Sequence, residues 1–180
     1  MVIIEKITTD ALVFNDSYIL SNTHPKKCTE IRHLSHWIFA SVSHHFGTFI
    51  ETAGYTFFIE GTDRDYGEQT YIEFRMNGPN LTRLNRNYYK LDVNINLMWS
   101  HNQDHNDLYV PARIRGLLIR AMRDICIYRY GDDQTLLGIL KLKHNKQNAT
   151  NVNNFAQVRP DVKLLQGTVE GTFEMHLTCE

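Results

Sequence analysis

The sequence predicts an α+β fold, with two helices packed on one face of a largely antiparallel sheet of about five strands. Three observations carry that expectation. Leu91, Val93, Ile95, Leu97 and Trp99 alternate with Asp92, Asn94, Asn96 and Met98. This period of two gives one dry and one polar face, as in an antiparallel sheet covered on one side. Ile114, Leu117, Leu118, Ala121, Met122 and Ile125 instead make one helical stripe. Finally, the apolar runs follow the order helix, three strands, helix, two strands, with no internal repeat or linker. Helices apolar on one side can then cover the dry face of a single sheet.

Residues 1–24 hold two short apolar runs, Val2-Ile3-Ile4 and Ala11-Leu12-Val13-Phe14, split by Lys6 and Thr8-Thr9-Asp10. They read as an arm or a short helix ahead of one domain over 25–180. The early Glu5 and the broken apolar run do not resemble a signal peptide.

A first helix is expected over 25–47. Pro25 suits a first helical turn, where its missing N–H costs nothing. Ile31, Leu34, Ile38, Val42 and Phe46 recur at helical spacing with Phe39 beside them, and Arg32, His36, Ser43 and His44 lie opposite. Gly47 is the expected stop.

Three strands follow. Tyr55-Thr56-Phe57-Phe58-Ile59 is rich in aromatic and β-branched residues. The turn residues of 61–67 suggest a hairpin into 69–77, where Ile72, Phe74 and Met76 alternate with Tyr71, Glu73 and Arg75. Asn77-Gly78-Pro79-Asn80 reads as a polar loop before the strand centred on 91–99.

The second helix is expected over 111–127, opened by Pro111 and ended by Gly131-Asp132-Asp133. Leu136–Leu142 reads as a short strand. A long asparagine-rich loop over 144–160 comes next, with Val152 and Phe155 as its apolar anchors. A last strand covers about 162–177. In it Val169, Phe173, Met175 and Leu177 share a register with Gly171, which suggests a bulge or a close neighbour.

Composition narrows the function classes. The chain has 180 residues, 42 % hydrophobic and 22 % charged. That length suits one domain able to hide about 70 % of its unfolded surface. A net charge of −1 gives no global pull toward nucleic acid or an anionic membrane. No run approaches the ~20 apolar residues of a membrane helix. The cysteines, Cys28, Cys126 and Cys179, are odd in number and never CxxC, which fits a reducing compartment; Cys126 reads as a small core residue. The sequons at Asn80 and Asn148 then read as accidental.

Chemistry-bearing patterns are few. His101 and His105, with Asp104 and Asp107, could bind zinc or a related metal, but no third or fourth ligand is marked and a solvated loop accounts for them. His33, His36, His44 and His45 lie on the first helix without an HExxH pattern and read as a half-exposed surface. Asp63, Asp65, Glu68 and Glu73 read as a solvated turn. There is no GxSxG, GxxxxGK[ST] or GxGxxG. The expectation is a protein that is no enzyme and needs no cofactor. Arg113, Arg115, Arg120 and Arg123 lie off the apolar stripe of the second helix. They can meet phosphates or pair with a neighbouring subunit.

The order of elements, with Leu91-Asp-Val-Asn-Ile-Asn-Leu-Met-Trp99, Asp107-Leu-Tyr-Val-Pro-Ala-Arg-Ile-Arg-Gly116 and Leu165-Gln-Gly-Thr-Val-Glu-Gly-Thr-Phe-Glu-Met175, resembles the tail terminator or tail-completion proteins of long-tailed bacteriophages. The likeness is one of layout and covers about residues 28–178; residues before Pro25 and the loop at 144–160 have no match in it. It implies a structural virion protein of the neck, made in the host cytoplasm, with no catalysis and no membrane. It implies a hexameric homo-oligomer that caps the tail tube and joins it to the head connector. Neck, tail-tube and sheath proteins would be its partners, and genomic DNA would pass through the ring. Val152 and Phe155 would then anchor the long loop on a neighbour, and the four arginines would face a subunit or partner. Two other readings stand beside it: a nucleic-acid-binding or regulatory module using the second helix, and a small hydrolase or metal-dependent enzyme around His101 and His105.

Overall fold

The computed structural model describes residues 31–62, 70–85, 88–102, 109–129, 135–143, 150–155 and 164–178. The arm at 1–24, Pro25, Cys28, Cys179, His105 and the turn acids Asp63, Asp65 and Glu68 lie outside the described residues.

The described chain is α+β. Helix α1 is Ile31–Thr52, followed by β1 (Thr56–Ile59), β2 (Thr70–Arg83) and β3 (Tyr88–Asn102). Then come α2 (Val110–Ala121), β4 (Ile125–Arg129), β5 (Thr135–Leu142), β6 (Thr150–Phe155) and β7 (Leu164–Thr178). The seven strands form one largely antiparallel sheet in the order β1-β2-β3-β7-β5-β4, with β6 also on β7. The expectation of about five strands is corrected to seven among the described residues.

The β3–β7 pair is the spine of the sheet. Its register runs without a break from Tyr88↔Thr178 to Asn102↔Leu164, a ribbon about 50 Å long at ~3.4 Å per residue. The alternation read from sequence is realised here: Leu91, Val93, Ile95, Leu97 and Trp99 are all buried. Across the ladder Val169, Phe173 and Met175 join them. Gly171 is a close-neighbour site, since a Cβ there would come within 3.1 Å of Met122 Sδ and 3.2 Å of Leu142 Cδ1. Gly167 has a similar origin, because the Trp99 indole lies where its Cβ would be, 2.6 Å away. On the other face Asp92 stands opposite Glu174, which like charges disfavour. Lys90 bridges them at 3.2 Å to each. Glu174 foremost, and then Asp92, hold its pKa above the usual lysine value.

The core is one cluster that takes side chains from both helices and from alternate strand positions. Phe39 and Phe46 of α1 meet the Phe74 ring at 5.9 and 6.0 Å. Fully burying a phenylalanine contributes about 1.5–3 kcal/mol, so Phe46, Phe57, Phe74 and Phe173 form the heaviest part of the core.

Several expectations are corrected. Helix α1 runs past Gly47, because Phe49 and Ile50 continue the stripe of Phe46. It stops at Gly54, with φ +83°. The Tyr55 N–H donates to the Ile50 carbonyl (3.3 Å) and that of Gly54 to the Glu51 carbonyl (2.9 Å), a Schellman stop. Ser43, assigned to the polar side, is buried and donates to the Phe39 carbonyl at 2.7 Å.

The expected hairpin between the first two strands is not one. Strands β1 and β2 are parallel, with Phe57 beside Ile72 and Ile59 beside Phe74. Asn77-Gly78-Pro79-Asn80 is no loop between strands. It is an irregularity inside β2, after which Asn80–Arg83 pair again with β3. Gly78 has φ +108°, and a Cβ there would meet the Asp92 carbonyl oxygen at 3.0 Å, so the turn residues make a bulge. Glu73 does not belong to a solvated turn; it is buried on β2 and bound by Arg75 Nη2 at 3.0 Å.

Helix α2 ends at Ala121, short of the expected 127. Ile125 and Ile127 are buried while Cys126 and Tyr128 are exposed, the period of a strand. Cys126 is therefore an exposed free thiol and no core residue. The supposed loop at 144–160 contains β6, which pairs with β7 from Thr150↔Gly171 to Phe155↔Gln166. Residues 144–149 and 156–160 lie outside the described residues. Among the described residues no helix is long and apolar enough to cross a membrane.

Candidate functional site

The C-terminal half of α1 and the end of α2 come together at Ala121. There His45 Nε2 lies 3.0 Å from the Ala121 carbonyl oxygen. A carbonyl only accepts, so Nε2 carries the proton and Nδ1 is the free lone pair of the neutral ring. Burial, the largest influence, lowers the His45 pKa below 6.5; the bond to Ala121 opposes this, and the charges of Arg123 and His44 add to it. The ring also meets Phe46 edge-on at 5.1 Å.

Beside this contact lies a cleft of about 490 Å³, within the ~300–1,000 Å³ range of small-molecule sites. Its α1 wall carries His44, Thr48 and Thr52, one helical file at i, i+4 and i+8, together with Phe49 and Ala53. The α2 side contributes Leu117 and Arg120, and Arg123 closes it from the segment after the helix. The Arg123 guanidinium stands 5.7 Å above the Phe49 ring, a cation–π contact that holds it over the cleft. Among the described residues no carboxylate lines the cleft. The neighbouring Asp124 accepts from the Leu142 N–H at 3.1 Å.

The four arginines expected to act together are therefore divided. Arg120 and Arg123 share the cleft; Arg113 is exposed on α2 and does not line it. Arg115 Nε donates back to the Pro111 carbonyl at 3.3 Å. Arg123 is not a helical residue at all. Val152 is exposed on β6 and paired with Val169, and Phe155 ends β6 opposite Gln166.

His101 is on β3 and buried, with Nδ1 2.7 Å from the Thr70 hydroxyl. Among the described residues no group of three or more histidine, cysteine or acidic side chains could hold a metal ion. Of the cleft residues on α1, His44 and His45 read from sequence only as half-exposed helix surface, and Thr48, Phe49 and Thr52 carry no signal of their own. Their signal is the file His44-Thr48-Thr52, visible only once the helix is carried beyond Gly47. No family model matches the chain, and no curated protein matches it.

Proposed function

We propose that this chain is a structural protein of a tailed bacteriophage. In this reading it forms a ring at the head–tail junction that terminates the tail tube and joins it to the connector. In the same reading the two helices cover one face of the sheet, a layout supported by Phe39 and Phe46 of α1 against Phe74 and by Ile114 and Leu118 of α2 in the same core cluster. The order of elements supports this layout. The observation that carries the assembly is a pair of separate apolar surfaces.

One surface is the outward side of the β4–β5 ribbon. Cys126 is paired with Ile139 and Tyr128 with Leu136; all four are exposed, Leu136 at 51 % and Ile139 at 41 %. The other surface is at the far end of β2 and β3, where Leu84 is 53 % and Tyr88 48 % exposed, with Leu81 nearby. The two lie on opposite sides of β7 in the strand order. A closed ring built head to tail needs two different patches on every subunit, and clustered exposed apolar groups mark contact surfaces. A single module acting on nucleic acid would need neither.

Light scattering across a concentration series tests the proposal. The wild type should give a closed species of about six subunits. Leu136→Glu with Ile139→Glu, or Leu84→Glu with Tyr88→Glu, should each abolish it. Mixing the two variants should restore one interface only and stop at a dimer. A monomer at every concentration, or rings that survive both pairs of changes, would sink the ring reading.

A further inference from the structure

We infer that the cleft between α1 and α2 is a binding site for a small phosphate ester, with Arg120 and Arg123 holding the phosphate. The inference rests on the cleft alone and stands whether or not the chain forms a ring.

The argument begins with charge. Arg120 and Arg123 line one cleft in which, among the described residues, no acidic side chain takes part. Asp124, next to Arg123 in sequence, is bonded to the Leu142 N–H, and Glu51 does not line the cleft. Both guanidiniums reach one cleft, and no carboxylate among the described residues competes there for their donors, so a bound oxyanion can accept from both. Arg123 is already placed by the Phe49 ring, so less side-chain freedom is lost on binding. His44 and the Thr48 hydroxyl add donors on the α1 wall. The Thr52 hydroxyl is committed to the Thr48 carbonyl at 2.6 Å. The proton of His45 is committed to Ala121, so His45 shapes the wall.

Size and wall chemistry set the ligand class. At about 490 Å³ the cleft is larger than a bare phosphate requires. Phe49, Ala53 and Leu117 give it an apolar side away from the arginines. A phosphate joined to a small apolar or aromatic group satisfies both walls. An extended polyanion fits less well. It calls for a row of cations, and Arg113, farther along α2, stands outside the cleft, while the whole chain carries a net charge of −1.

The test is isothermal titration of the full chain with inorganic phosphate, phenyl phosphate and a DNA duplex. Phenyl phosphate should bind more tightly than inorganic phosphate. Arg120→Gln with Arg123→Gln should weaken it by about tenfold or more, the loss expected from removing charge-assisted hydrogen bonds. Arg113→Gln should leave it within about twofold, because an exposed charge two turns from Arg120, about 10 Å along the helix, lies beyond the ~8 Å Debye length of physiological salt. Circular dichroism and the urea midpoint of each variant confirm that it folds. If folded wild type binds neither anion at millimolar concentration, the site does not exist. If the double variant binds as the wild type does, the phosphate is held elsewhere. If only the duplex binds, with a steep salt dependence that Arg113→Gln also reduces, the surface serves nucleic acid and the small-ligand inference is overturned.

Discussion

His45 donates from Nε2 to the Ala121 carbonyl while the charges of Arg123 and His44 lie close by. Burial foremost keeps the folded ring neutral and its pKa below the 6.5 of an exposed histidine. The unfolded chain therefore takes up a proton first as pH falls. The stability linked to His45 is complete above about pH 6.5 and is lost as pH drops through the lower folded value. His45→Gln should flatten this part of the profile, so its urea midpoint should fall less than that of the wild type between about pH 8 and pH 5. An equal fall in both proteins would assign the acid sensitivity to other groups. Not every residue of this region was legible in the sequence. His44 and His45 read as surface because two adjacent histidines on a helix point apart, and nothing local says which one meets another helix. Similarly, Cys126 looked like core because it lies between two buried isoleucines. Its face was decided by whether the segment is helix or strand.

At the scale of elements, long periodic segments were legible and their ends were not. The nine-residue alternation of β3 marks its buried face correctly, because each of its side chains has the ladder on both sides to hold the period. The end of α1 illustrates the difficulty. Gly47 and Gly54 are both reasonable stops by composition. Gly47 is buried within the helix, whereas Gly54 alone takes the left-handed conformation. The segment after α2 failed for another reason. Ile125 continues the helical stripe from Met122 and also starts the period-two run Ile125, Ile127, so local pattern fits both. Tertiary bonds separate them: the Tyr128 N–H donates to Ser41 Oγ at 3.0 Å, and the Leu142 N–H to Asp124. Gly54→Ala isolates the stop signal. A Cβ there meets nothing within 4 Å, so only the backbone conformation is penalised. Stability should fall by about 1–2 kcal/mol in urea unfolding, with an unchanged slope. A fall of less than a few tenths would show that the left-handed stop contributes nothing to α1.

For the whole molecule, the least legible feature is how one strand serves three neighbours. Along one side β7 pairs with all of β3. Along the other it is shared, with β6 on Gln166–Gly171 and β5 on Phe173 and Glu174. Such long-range pairing leaves little trace in the polar segment Thr150–Phe155, whose asparagines favour loops. As a loop, residues 146–157 would be removable at little cost, and a loss of assembly would then report on subunit contacts. As a strand they complete the sheet. Deleting 146–157 should lower stability by about 1 kcal/mol for each ladder hydrogen bond removed. It should also speed amide exchange within Gln166–Gly171 and leave an open edge that promotes irregular aggregation. A subunit contact at this edge is better probed by Val152→Lys, which changes an exposed side chain and keeps the β6 backbone. If the deletion left both the urea midpoint and the β7 exchange rates unchanged, β6 would not be paired in solution, and Val152 and Phe155 would return to the role of anchors on a free loop.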